Sequence, residues 1–143
     1  MMPTIAFFML GAAALIQIFF LLRKANNQDP ISHYFLLAGA LLLLATNVQR
    51  SLQINFVAVT NTFESLVFFS GVIALLLFIY RIQKRWKVIN FIIFGSTIIA
   101  IILLAIASSP IAPKDIQPPI PALQSMWLVL HVTFSFIGES FFA

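Results

Sequence analysis

Five apolar runs, each near the length of a bilayer crossing, follow one another along a chain of 143 residues with only short polar breaks between them. A hydrocarbon core about 30 Å thick takes about 20 apolar residues per helical crossing at 1.5 Å rise. Five crossings therefore use almost the whole chain and leave no room for a soluble domain. The fold class this implies is all-α, a polytopic transmembrane helical bundle of about five spans. The composition agrees, with 62% hydrophobic and 8% charged residues and a mean hydropathy of +1.06. Cysteine is absent, which excludes a disulfide scaffold, thiol catalysis and a cysteine-ligated metal. A net charge of +4 on so apolar a chain reads as membrane topology, and no nucleic-acid partner is expected.

The predicted spans are residues 5–22, 34–50, 63–80, 88–107 and 123–143, one membrane domain over 1–143. Arg23 and Lys24 close the first run and no basic residue precedes it, the reverse of a cleavable signal peptide. The polar bend Ala25–Pro30 separates the first two spans, because Pro30 blocks helix continuation and the amides want water. Ser51 to Thr60 is too polar to span and is expected half immersed at the outer surface. Arg81, Lys84, Arg85 and Lys87 with Trp86 form the strongest topological anchor. In the loop from Ile111 to Pro121, the prolines Pro118, Pro119 and Pro121 are expected to hold the backbone extended. With Arg23 and Lys24 added to the anchor, six basic residues lie on one side, against Arg50 and Lys114 on the other. The positive-inside rule then puts the N-terminus outside. Glycines 11, 39, 71, 95 and 138 fall one per span and form no GxxxG motif.

His131 stands out, because an imidazole inside an apolar span is costly and marks a functional position by default. At helical rise it lies about 7 to 8 Å below Met126, where the hydrocarbon begins. Gln124, Trp127, Leu128, His131, Phe134, Ser135 and Gly138 share one helical stripe. Such a stripe suits a planar apolar metal ligand such as haem, whose iron takes an imidazole nitrogen axially. Equally, His131 fits a hydrogen bond to a neighbouring helix, with Trp127 in the interfacial aromatic belt. Asn61 and Glu64 are spaced as a capping-box variant for the third helix, with a binding role for Glu64 as the other option. Glu139 lies so deep that it needs a partner or a cavity, and no basic residue is placed to pair with it. His33 precedes the second span on the opposite side from His131, so the two cannot share one metal. Metalloprotease, nucleophile-elbow and phosphate-loop signatures are all missing, and the chain holds no self-contained catalytic site.

The segment Pro119-Ile120-Pro121-Ala122-Leu123-Gln124-Ser125-Met126-Trp127-Leu128-Val129-Leu130-His131-Val132 resembles the PALQSxWLxxHV segment of the cytochrome c assembly protein family, haem-handling membrane proteins of the CcsA and ResC type and more distantly the CcmC type. Upstream, Asn61-Thr62-Phe63-Glu64-Ser65-Leu66 is similar to that family's N-x-[YF]-E-S-L segment. The resemblance implies cytochrome c biogenesis, with His131 as an external axial ligand of haem iron beside Trp127. It also implies a ResB-like or Ccs1-like membrane partner, apocytochrome c as recipient, and haem-lyase machinery of which this chain is a part. The bacterial cytoplasmic (inner) membrane, or a thylakoid membrane in a plastid, is the implied location. The family's tryptophan-rich WGxxWxWD-type segment and second external histidine do not occur in these residues, so the chain is expected to be the N-terminal part of a longer protein or one piece of a split one. From the residues alone the alternative is a small transporter or membrane-anchor subunit, in which His131 and Glu139 relay protons or pack helices.

Overall fold

The computed structural model describes residues 1–23, 31–83, 90–110, 112–116 and 121–143. Five α-helices follow in order, α1 Met2–Leu22, α2 Ser32–Ile54, α3 Thr62–Ile82, α4 Asn90–Ser108 and α5 Met126–Ser140. No strand occurs among the described residues, so the chain is all-α. Four of the helices, α1 to α4, are long and apolar enough to cross a membrane. At 15 residues, α5 rises only about 22 Å, shorter than the span expected over 123–143. The polar bend at Ala25–Pro30 and the basic run Lys84–Lys87 lie outside the described residues.

In hydrocarbon every backbone amide must find its partner within its own segment, and that makes each run helical. The chain punctuates these runs locally. Pro3 sits in the first turn of α1, where its missing N–H costs nothing. Asn61 caps α3 as expected, its side chain accepting from the Phe63 N–H at 3.3 Å. Asn55 ends α2 in the left-handed conformation, φ 52° and ψ 31°, which asparagine tolerates better than most residues. The N–H groups of Asn55 and Phe56 both converge on the Ser51 carbonyl, a Schellman-type stop.

The outer loop corrects one expectation. Residues 51–54 complete α2, where the span was expected to end at residue 50, and residues 55–61 form a compact turn. Ser51 Oγ accepts from the Ala58 N–H at 2.8 Å, Ser65 Oγ donates to the Val59 carbonyl at 2.8 Å, and Ala58 and Val59 are buried. Local hydroxyls satisfy the loop backbone, so it can be apolar and buried at once. Pro121 also departs from the extended backbone expected, opening a 3-10 turn over Pro121–Leu123. The prolines at 118 and 119 lie outside the described residues.

Helices α1 to α4 close a ring in which α1 packs on α2 and α4, and α3 packs on α2 and α4. Without a hydrophobic force between helices in lipid, close backbone approach supplies the attraction, and small residues permit it. Ala6, Ala13, Ala40, Ala74, Ala100 and Ala107 line the interior beside Leu10, Leu36, Leu43, Ile73 and Leu104. At Gly39 an added Cβ would come to 3.0 Å from Leu10 Cδ2, so that glycine serves helix contact inside the chain. Phe8, Leu15, Leu22 and Phe91 face outward, as a lipid-facing surface requires. Outside the ring, α5 lies against α3 and buries only Val129 and Ser140.

Candidate functional site

Phe136, the buried Val129 and the chain end tie α5 to the ring. Phe136 stacks on Phe69, with centroids 5.3 Å apart, and meets Phe68 edge-on at 6.4 Å. Further along, the Ala143 carbonyl accepts from Ser96 Oγ of α4 at 2.8 Å. The packed face is thus occupied, and the stripe predicted from the 3.6-residue period points the other way. Of that stripe Trp127, His131, Phe134 and Ser135 line one shallow open depression together with Leu130, while Gln124, Leu128 and Gly138 are not part of its lining, and Trp127 is 82% exposed.

Heights follow from helical rise. His131 stands five residues before Phe136, about 7.5 Å, and Glu64 four residues before Phe68, about 6 Å. The imidazole and the Glu64 carboxylate are therefore level, near the end of the bundle where the 55–61 loop lies. His33 belongs to the first turn of α2 at the opposite end, half-buried against Tyr34 at 4.0 Å and Phe78 at 6.4 Å. As expected, the two histidines cannot share a metal. Among the described residues no group of three or more His, Cys, Asp or Glu could hold an ion. The α5 face offers one imidazole nitrogen with aromatic and aliphatic surface around it, which fits an axial ligand and one side of a macrocycle. Glu139 is also exposed, eight residues from His131 and so about 12 Å along the axis, beyond direct proton exchange between the two.

Level with His131, inside the ring, lies a polar network that hydropathy does not reveal. Arg50 and Glu64 form a buried ion pair, Nε to Oε1 at 3.1 Å, with the residues 8% and 2% exposed. The rest of the guanidinium is also engaged. Nη1 donates to the Lys114 carbonyl at 3.2 Å and Nη2 to the Asp115 carbonyl at 3.1 Å, while the group lies 4.9 Å over the Phe63 ring. Asn47, its amide oriented by its neighbours, donates to the Ala58 and Glu64 carbonyls at 3.1 and 3.2 Å and accepts from the Phe68 N–H at 3.1 Å.

This network corrects two readings. Glu64 binds Arg50 in addition to standing in the first turn of α3, and Arg50 is an interior helix residue where a loop charge was expected. Arg81 is likewise buried in α3, donating to Ser32 Oγ. Removing both from the loop tally leaves five basic residues against one, the same sense as before. A signal for Arg50 existed in the sequence. Leu36, Gly39, Leu43, Asn47, Arg50 and Ile54 recur at three- and four-residue steps, and all are buried on one face of α2.

The chain matches no family model and no solved structure. Among curated proteins, the cytochrome c biogenesis protein CcsA of Heterosigma akashiwo is 38% identical over 91 residues, which cover 59% of this chain and 26% of that protein. The chain is related to the CcsA-type cytochrome c biogenesis proteins. The CcsA of Synechococcus sp. is 31% identical over 100 residues, 68% of this chain and 28% of its own length. That of Oryza sativa is 30% identical over 119 residues, 82% of this chain and 34% of its own length. The chain therefore spans about a quarter to a third of the relatives it matches. With four span-length helices and this kinship, it is an integral membrane protein.

Proposed function

We propose that this chain acts in cytochrome c biogenesis as a haem-handling segment, with His131 an axial ligand of haem iron and Trp127 flanking the macrocycle. The observation that carries the reading is the direction of the α5 face. An imidazole in apolar surroundings needs a partner, and His131 points away from every helix of the ring, level with the polar network. The kinship with CcsA-type proteins supplies the class of partner, and the one-imidazole geometry supplies its fit. When bound, haem brings an iron that accepts the imidazole nitrogen and a porphyrin edge bearing the groups attached to apocytochrome c.

What these residues do is hold and orient. His131 would hold the iron, Trp127 and Phe134 would offer aromatic contact to the macrocycle, and α5 carries all three on one helix packed against α3. One imidazole and one open face must offset the cost of ordering a ligand, so the reading includes further protein that covers this face, the present chain being the front part of a longer or split protein. A ResB-like or Ccs1-like membrane protein and apocytochrome c complete the machinery as haem-lyase partners. In this reading the N-terminus and the His131 end face outward, as the charge tally favours, and the membrane is the bacterial cytoplasmic membrane or a thylakoid membrane.

The test is His131→Ala in the intact protein purified from membranes. The haem Soret band and the maturation of c-type cytochromes should both be lost, and unchanged levels of both overturn the assignment.

A further inference from the structure

Below the depression that holds His131, α5 carries a second polar side chain on its open side. Glu139 is exposed, and its carboxylate makes no hydrogen bond or ion pair with any described residue. Its depth follows from two neighbouring helices. Phe136 stacks on Phe69, which stands seven residues into α3, and Glu139 lies three residues further on, so it is about 15 Å from the loop end of the bundle. From the opposite end, Ala143 meets Ser96, six residues into α4, and Glu139 lies four residues back, again about 15 Å away. Both measures put it at the middle of a span about 30 Å long.

Lipid is a poor neighbour for that group. A charge at this depth persists where it pairs or faces a cavity, and the depression beside His131 stops at Ser135, one turn above. The chain has no cation to give. Of its eight Lys and Arg residues, Arg50 is held by Glu64 and Arg81 donates to Ser32 near the far end of α3, while the other six fall between helices in the sequence. A second copy of these residues would therefore bring no positive charge to mid-span either. The surface around the carboxylate can receive a helix. Ser135 and Gly138 are small, and a Cβ added at Gly138 would meet nothing within 4 Å, so a facing backbone can approach closely. The relatives extend well beyond the matched stretch, which is 26% of one and 34% of another, so CcsA-type proteins carry further chain that could supply it.

We propose that the Ser135–Glu139 side of α5 is the seat of a further spanning helix, drawn from the length that CcsA-type relatives have beyond these residues, and that this helix brings a Lys or Arg side chain to Glu139. In hydrocarbon the pair sets the height at which the two helices meet, because neither charge has another partner there. The seat shares with the function proposed above only the presence of more protein beside α5, and it needs no haem.

The test is a site-specific photocross-link in the intact protein in its own membrane. Phe142, exposed one turn below Glu139, is changed to benzoylphenylalanine, and Phe8, exposed on α1, carries the same label as a control. Adducts are mapped by mass spectrometry. Position 142 should label an apolar spanning segment outside residues 1–143 with a Lys or Arg within about two turns of the labelled site, and position 8 should not label it. Adducts from position 142 on lipid alone, on a second copy of residues 1–143, or on a segment without a basic residue overturn the seat.

Charge exchange then tests the pair. Glu139→Lys should lower the position 142 adduct at least about tenfold, because like charges set face to face oppose docking. Changing the basic residue of the labelled segment to Glu should restore it in that background. Glu139→Gln, which lipid tolerates, should lower the adduct in the same direction, and helicity by circular dichroism confirms that it folds. An undiminished adduct in Glu139→Gln, or a double reversal that fails to restore it in a folded protein, overturns the pair. His131→Ala keeps the haem reading apart. The imidazole lies about 12 Å from Glu139 along the axis, so the adduct should persist in this variant, and its loss there overturns a seat independent of haem. Retention of haem by His131→Ala overturns the proposed function, and the seat is then judged by its adducts.

Discussion

Two helices, α3 and α5, run down the bundle side by side from the same end, and each carries a polar side chain at the same height. Their treatment is opposite. Glu64 is 2% exposed and meets a guanidinium, whereas His131 looks outward from a face that the described residues leave uncovered. A costly polar group persists in an apolar setting either because the chain satisfies it or because something else does. The α3 carboxylate is of the first kind and serves the architecture. On the function proposed above, the α5 imidazole is of the second kind and would serve a ligand. Exposure alone therefore decides nothing: the buried carboxylate holds Arg50 inside the ring, and the exposed imidazole, on that proposal, would meet haem.

The largest effect expected from this contrast is at Arg50. Arg50→Leu would leave the Glu64 carboxylate buried without its counter-charge and would release the loop carbonyls of Lys114 and Asp115. Breaking a buried pair from one side costs about 3–5 kcal/mol. Reversible unfolding in mixed micelles, followed by circular dichroism, should show a loss of that order. A loss below about 1 kcal/mol would mean that Glu64 tolerates solitude, and the contrast with His131 would lose its basis.

Much of this was legible beforehand, for reasons that differ from residue to residue. The runs that became α1, α3 and α4 are apolar on all sides, so hydropathy alone locates them, and lipid enforces the helix. The α5 stripe was legible because its 3.6-residue period sets Trp127, His131, Phe134 and Ser135 on one side whatever packs on the other. Arg50 was overlooked despite its place on the buried stripe of α2, because counting charges for topology treats each as a loop residue and asks nothing about partners. Its carboxylate lies 14 positions on, across a turn that the Ser51 and Ser65 hydroxyls help to make compact. The end of α2 was misplaced for the same reason. Ser51 and Gln53 look like a polar exit, yet Ser51 Oγ folds back onto the Asn47 carbonyl at 2.8 Å and lets the helix run on. Polar residues that satisfy one another mimic a loop in any scale that scores them singly.

A smaller effect is expected at the point where α5 is hung. Phe136→Ala removes both ring contacts with α3, and aromatic pairs contribute about 0.5–1.5 kcal/mol each beyond their buried area. The ring of α1 to α4 does not depend on that contact, so the loss should be local. Hydrogen exchange followed by mass spectrometry should show faster exchange of α5 amides, with protection of α1 to α4 unchanged. If protection fell equally in all five helices, α5 would be part of the ring's core, and its open face would need another explanation.

The smallest effect on stability is expected at His131 itself, and it sharpens the contrast most. His131→Leu removes a group that packs against none of the ring helices and replaces it with one that lipid accepts. Substitutions away from packed or hydrogen-bonded positions fall within about 0.5 kcal/mol, so unfolding of this variant should match the parent within that range, while haem binding is lost. The two outcomes together are informative because they pull apart. A helix-packing histidine would register in stability and leave the Soret band alone; an iron ligand would do the reverse. Glu64→Leu supplies the opposite signature, since it strands Arg50 and should register in stability first.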